Sequence, residues 1–262
     1  MATKSDLRLS WWQKIALKII SSGPKIEHLA VIMDGNRRFA RKLQQNPVYG
    51  HKKGSTKFFR LMEIARLMGI LELTVYAFSV ENFKRSAKEL EEFMQFTLEV
   101  LRTMVANIPD YNTSGIRLMF LGELYMVDEE MQKYFRQLME ATKDNKMFVC
   151  NIAVAYTSRM EVTRAIRLVL ESEQQVLDDV NEKMVEKYLY TQGGRTVDLV
   201  IRTSGESRLS DFQLWQSDSA VLHFSLVLWP EFDMWNFMLA ILQYQIAVKC
   251  RGFSEYRSHV RH

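Results

Sequence analysis

The sequence predicts an α/β protein: a single domain whose mostly parallel central β-sheet is flanked by helices. Three observations carry this expectation. Apolar runs of strand length alternate with longer amphipathic segments. Several runs are apolar at consecutive positions, the pattern of parallel strands covered on both faces. Charged and hydroxyl residues gather just after the runs, where open parallel sheets bind ligands. Apolar residues make up 47% of the 262-residue chain and charged residues 25%, so a packed core is expected and disorder is not.

Residues 1–23 form an N-terminal amphipathic segment. Leu9, Trp11, Trp12, Ile15, Ala16, Ile19 and Ile20 recur at helical spacing, with Lys14 and Lys18 between them. The pattern suits a helix lying on a membrane surface, and equally a helix packed on its own domain. Gly23-Pro24 closes the segment, and residues 24–262 read as one domain. The expected strands are His28–Met33, Glu72–Phe78, Ile116–Leu121, Met147–Val154, Val197–Ile201 and Val221–Phe224. Between them, Ser86 with Glu89 is a capping-box signature that opens a long amphipathic helix, and Ser158 with Glu161 repeats it. Asp128 is placed to cap a further helix. Asn112-Thr113-Ser114 matches a glycosylation acceptor and reads as a loop.

Several function classes are excluded. Cys150 and Cys250 lack the spacing of a zinc site. The net charge of +4 comes from bases scattered among acids, without the dense patches of a nucleic-acid binder. No apolar run approaches the ~20 residues of a membrane span, and neither GxGxxG nor GxxxxGK[ST] occurs.

Chemistry concentrates in three clusters. Asp34-Gly35-Asn36-Arg37-Arg38 follows the first strand. An aspartate there can hold Mg²⁺, the glycine admits backbone N–H groups to a phosphate, and the arginines supply fork-shaped donors. Ser79-Val80-Glu81-Asn82-Phe83-Lys84-Arg85 follows the second strand, and Arg202 through Phe212 follows the fifth. A solvated turn accounts for each cluster alone. Arginine after three strands, brought to one sheet edge, makes an oxyanion site.

Five stretches, in order, resemble the signatures of the cis-prenyltransferases. They are His28–Ala40, Gly50-His51-Lys52-Lys53-Gly54, Tyr76–Arg85, Asp198–Phe212, and Leu214-Trp215-Gln216 with Leu228-Trp229-Pro230-Glu231-Phe232. Arg37-Arg38 and Phe83-Lys84-Arg85 look closest to the eukaryotic catalytic-subunit branch of that family. The resemblance implies a Mg²⁺-dependent enzyme that condenses isopentenyl diphosphate onto farnesyl diphosphate. It implies an allylic diphosphate near Gly35, Asn36, Arg37, Arg38, His51 and Arg85. Isopentenyl diphosphate would lie near Arg85, Arg202, Arg208 and Ser210. Asp34 would hold the metal, and Ser79 and Asn82 would orient groups near the departing proton. An apolar product tunnel would draw on Met94, Leu98, Leu101, Met104, Met119 and Phe120.

Two departures stand out against the family. Pro47 replaces a frequent arginine, and Val221 replaces a bacterial glutamate linked to metal binding, which leaves Asp34 as the one carboxylate assigned to Mg²⁺. The all-helical trans-type synthases use paired DDxxD motifs; Asp178-Asp179-Val180-Asn181-Glu182 does not match. A non-catalytic subunit of the same fold would lack the aspartate and arginines present here. Homodimeric relatives end in an Arg-x-Gly that completes a neighbour's diphosphate site. None occurs here; the tail reads Lys249-Cys250-Arg251-Gly252-Phe253. The expected partner is therefore a Nogo-B-receptor-like accessory subunit that supplies the motif. The expected location is the cytosolic face of the endoplasmic reticulum membrane, held peripherally.

Overall fold

The computed structural model describes residues 10–173, 180–192 and 194–250. Six strands, β1 (His28–Ile32), β2 (Glu72–Ser79), β3 (Ile116–Leu121), β4 (Phe148–Tyr156), β5 (Leu199–Arg202) and β6 (Val221–Phe224), form a parallel sheet in the order β3-β4-β2-β1-β5-β6. The helices are α1 (Trp11–Ile20), α2 (Asn36–Lys42), α3 (Pro47–Leu67), α4 (Ala87–Ala106), α5 (Ile108–Thr113), α6 (Glu129–Thr142), α7 (Ser158–Glu173), α8 (Glu182–Tyr188) and α9 (Met234–Cys250). The expected α/β class is the one observed. The backbone divides into two compact units: the described parts of Met1–Leu71, Val197–Ser207 and Ser219–His262, and those of Glu72–Thr196 and Arg208–Asp218.

The first unit holds β1, β5 and β6. Leu29 pairs with Leu199 and Leu199 with Val221. β1 is buried along its whole length, which is why its sequence shows no polar alternation. β5 starts two residues later than the sequence suggests. Asp198, just before it, keeps its backbone bonds to both neighbours, the N–H to the His28 carbonyl (3.0 Å) and the carbonyl to the Val221 N–H (2.9 Å), while its carboxylate accepts the N–H groups of Glu27 (2.6 Å) and His28 (3.0 Å). Asn46 caps α3 through the Tyr49 N–H. Pro47 takes the first helical position, where a missing N–H costs nothing. α1 packs on α9: Leu17 is buried, and Gln245 donates to the Ile20 carbonyl at 2.7 Å.

The second unit holds β3, β4 and β2, and Phe120 stacks on Phe135 at 4.2 Å. Ser86 caps α4 as expected, its hydroxyl accepting the Glu89 N–H. The capping box at Ser158 does not form. Ser158 is the first helical residue of α7, and Thr157 accepts the Met160 N–H instead. The Glu161 side chain turns into the core, where the Tyr156 hydroxyl and the Gln216 amide donate to it. Asp128 occupies the N-cap of α6 without a side-chain hydrogen bond; Glu129 and Glu130 supply negative charge to the first turn. Asn112 and Thr113 are helical rather than loop. Pro109 fits the first turn of α5, and the Thr113 hydroxyl bonds the Pro109 carbonyl at 2.9 Å.

Candidate active site

In the first unit, β1 ends at Ile32 and the chain turns through Asp34 into α2. Thr203, just past β5, fixes that turn. The Asp34 N–H donates to Thr203 Oγ1 (3.0 Å), and the Thr203 hydroxyl donates to the Asp34 carbonyl (2.7 Å). The Trp229 N–H donates to the same carbonyl at 2.9 Å. The backbone of Asp34 is thus held on two sides, which leaves its carboxylate to face the charged groups.

Arg202, only 4% exposed, places Nη2 3.0 Å from Asp34 Oδ2. Arg38, one turn along α2, places Nη2 3.5 Å from the same oxygen, bonds the Ser204 carbonyl and hydroxyl, and pairs with Glu206 at 3.4 Å. Gly35 adopts φ +108°, a conformation side chains resist, and a Cβ there would press on Ser204 and Leu228. The Asn36 amide donates to the Met33 carbonyl, and its Oδ1 lies against Gly54. Asn36 therefore braces the turn and α3. Arg37 is exposed on α2, and His51 lies half-buried on α3 between Gly50 and Gly54.

In the second unit, Ser79 and Asn82 cap the same short turn, Val80–Lys84. The Ser79 hydroxyl accepts the Glu81 N–H, and Asn82 Oδ1 accepts the Ser79 N–H at 3.0 Å. Arg85 ends the turn, pairs with Glu89 at 3.4 Å and lies over the Phe93 ring. Arg208 and Ser210 belong to this unit, whereas Arg202 belongs to the first; one stretch of sequence serves both. Ser210, Asp211 and Gln213 all have positive φ, a run that non-glycine residues keep only when their surroundings hold them. The start of α7 does so. The Ser158 N–H donates to the Asp211 carbonyl (2.7 Å), and the Arg159 N–H and Nε donate to the Asp211 carboxylate. Ser158 Oγ accepts the Leu214 N–H. Burial pushes the Glu161 carboxyl up from its ordinary range, opposed by the donors around it.

The donors around Asp34 fit Mg²⁺ of one kind. Both ion pairs fall on Oδ2, and Oδ1 has no partner among the described residues. No group of three His, Cys, Asp or Glu able to enclose an ion occurs among them. One carboxylate oxygen beside two guanidinium groups suits a Mg²⁺ that arrives with phosphate oxygens and water, not one caged by protein.

Thr203, Ser204 and Glu206 shape this site, yet the sequence marked them only as members of a polar loop. The signal that could have found Thr203 is its place at the end of β5, beside the end of β1.

Residues 32–252 match a prenyltransferase family model described as "Putative undecaprenyl diphosphate synthase". The chain is 42% identical over 242 residues to a dehydrodolichyl diphosphate synthase complex subunit of Homo sapiens, covering 91% of this chain and 72% of that one. The chain belongs to the cis-prenyltransferase family. A second member, a tritrans,polycis-undecaprenyl-diphosphate synthase of Archaeoglobus fulgidus, is 37% identical, covering 87% of this cis-prenyltransferase and 92% of the relative. Among solved structures, lavandulyl diphosphate synthase from Lavandula x intermedia, in complex with dimethylallyl diphosphate, superposes with a TM-score of 0.79 at 29% identity. It covers 84% of this chain and 95% of its own.

Proposed function

We propose that this cis-prenyltransferase condenses isopentenyl diphosphate units onto farnesyl diphosphate to make a long-chain polyprenyl (dehydrodolichyl) diphosphate, using Mg²⁺. The observation that carries the reading is the Asp34 carboxylate held between Arg38 and Arg202 at the carboxyl ends of β1 and β5. A non-catalytic subunit has no use for that arrangement.

The allylic diphosphate binds at Gly35, Asn36, Arg37 and Arg38, with His51 and Arg85 in support. Arg85, Arg202, Arg208 and Ser210 take the diphosphate of isopentenyl diphosphate. Mg²⁺, bound by Asp34 and substrate oxygens, would neutralise charge on the departing diphosphate. Arg38 adds fixed positive charge, worth most in a site that excludes water. As the allylic C–O bond breaks, the bonding pair leaves with the diphosphate. The terminal double bond of isopentenyl diphosphate then forms the new C–C bond, placing positive charge on its tertiary carbon. Loss of a proton from the adjacent methylene gives the cis double bond, a substrate diphosphate oxygen being one candidate acceptor. Ser79 and Asn82 are assigned to orient groups near that proton, a reading supported by their sharing one cap.

The growing product is apolar. Leu101 and Met104 are buried on α4, Met94 and Leu98 half-buried, and Phe120 and Met119 lie on β3 of the same unit; they supply the tunnel wall. An accessory subunit contributes the missing Arg-x-Gly, a reading supported by the "complex subunit" name of the human relative. The tail that would otherwise hold such a motif lies outside the described residues. No described helix is long and apolar enough to cross a membrane. Attachment is therefore assigned to a surface, the cytosolic face of the endoplasmic reticulum, with Trp11, Trp12, Ile15 and Ile19 exposed on α1 as support.

The test is incubation with farnesyl diphosphate, labelled isopentenyl diphosphate and Mg²⁺, with and without a candidate partner, followed by product sizing. A Mg²⁺-dependent ladder ending in long cis-polyprenyl diphosphates is expected. An all-trans product, or none under any of these conditions, overturns the proposal.

A further inference from the structure

A pocket of about 150 Å³ opens on the first unit, well supplied with cations and lined by Gln13 of α1, Lys57 and Arg60 of α3, Asp233, and the rings of Phe232 and Trp235. Lys57 and Arg60 are one turn apart, and neither makes a hydrogen bond or salt bridge among the described residues. Asp233 does not neutralise them both. It acts on Lys57 only at longer range, and its Oδ1 is already accepting the Asn236 N–H. Burial, with Arg60 nearby, pushes the Lys57 ammonium below its ordinary range. Two like charges held together in a half-buried pocket are unfavourable until an anion joins them. Five waters' share of liquid volume is about 150 Å³, room for a phosphate group and part of its hydration.

The pocket wall continues into an exposed apolar stripe. Trp235, 59% exposed, begins a row along α9 with Leu239, Leu242 and Ile246, all exposed. Their spacing puts them on one helix face, turned away from buried Phe237, Ala240, Ile241 and Tyr244. Beside α9 runs α1, with Trp11, Trp12, Ile15 and Ile19 exposed as well. Soluble surfaces rarely leave so many large apolar side chains bare on two helices that touch. Tryptophans beside cations are the composition of a surface that meets lipid headgroups.

We propose that the pocket of Lys57 and Arg60 binds the phosphate of an anionic phospholipid while the α9 and α1 stripes lie in the bilayer interface. Charge selects this occupant. The stripe by itself suits any apolar partner, but two cations facing a single carboxylate at its end call for an anion, and an anionic bilayer presents both chemistries together. The inference deepens the surface attachment proposed above and does not depend on the reaction chemistry.

The test is flotation of the full chain with vesicles of phosphatidylcholine, with or without phosphatidylserine. Wild type should prefer the anionic vesicles. Lys57→Gln with Arg60→Gln should lose that preference by about fivefold per cation, roughly 25-fold together. Lys133→Gln with Arg136→Gln, an equal charge change on exposed positions of α6, should lose little. Leu239→Ser with Ile246→Ser should weaken binding to both vesicle types. Equal losses in the two charge variants would mean diffuse attraction and overturn the pocket. A wild-type chain that self-associates, with Leu239→Ser/Ile246→Ser abolishing only that, would make the stripe an interface between copies and overturn the proposal. Farnesyl diphosphate binding without vesicles, measured by calorimetry, reports on the proposed reaction alone and should be unchanged in the Lys57/Arg60 variant.

Discussion

Asp34 Oδ2 sits between two guanidinium groups, so removing the side chain would disturb both the metal ligand and the neighbours it balances. Asp34→Asn keeps the shape and an acceptor oxygen but removes the charge. Turnover should fall by roughly 10²–10³-fold, the scale of losing one electrostatic contact made in the transition state, and thermal stability should fall too, because buried Arg202 loses the Asp34 charge. A well-folded Asp34→Asn protein turning over at the wild-type rate would refute the metal assignment. Arg208→Ala should raise KM for isopentenyl diphosphate by about ten- to a hundredfold, from roughly 1.5–3 kcal/mol per hydrogen bond to a charged group. The KM for farnesyl diphosphate should not move, and if it alone moves the two diphosphate sites are reversed. Asp34, Arg38 and Arg202 were legible because charge beside glycine at the end of an apolar run is unusual. Thr203 was not: it acts by holding Asp34, 169 residues away in sequence, and one threonine among several hydroxyls carries no mark of that.

Helix α3 approaches α2 through two glycines, and here the need is steric. A Cβ on Gly50 would fall 2.0 Å from the Asn36 carbonyl oxygen, and one on Gly54 2.2 Å from Asn36 Oδ1. Gly54→Ala should destabilise the fold by about 1–3 kcal/mol, the usual cost of overpacking, and reduce turnover by shifting the Asp34 turn; urea unfolding and product assays on the same preparation read both. At the start of α7, Glu161 gives a pH-dependent prediction. Its folded carboxyl titrates higher than the unfolded one because it is buried. In the window from about 4.5 up to the folded value, the folded state binds more protons, so stability falls as pH rises and is greatest below that window. Urea midpoints taken across it should decline in wild type, whereas Glu161→Gln, which does not titrate, should lack that component; parallel curves would contradict it. The sequence offered Ser158 and Glu161 as a capping box. It misled because a glutamate three residues after a serine looks the same whether it reaches back to the backbone or turns inward to a tyrosine.

For the whole molecule, alternation of apolar runs and amphipathic segments was enough to give the α/β class and all six strands to within a few residues. Pattern could not give the split of the Asp198–Phe212 stretch between two compact units, since that depends on which distant segments each half packs against. Nor does the described structure contain an Arg-x-Gly, because the chain has none. Purified alone, the protein should turn over slowly or not at all. Adding the partner should restore the rate, and deleting the partner's terminal Arg-x-Gly should abolish the gain; full activity from the isolated chain would defeat this expectation. The pairing of β1 with β5 has a further consequence for how the protein is made. Leu29 waits for Leu199, and His28 is 170 residues from the Asp198 that fixes its backbone. At roughly 5–20 residues per second on the ribosome, the first strand emerges about ten to thirty seconds before its neighbour exists. Throughout that interval a strand that ends up wholly buried has no lasting mate on that edge, and such long-range closure is intrinsically slow. The newborn chain is therefore most prone to clumping before its centre of reaction can form, so chaperone supply during synthesis, more than final stability, should set the yield of active protein.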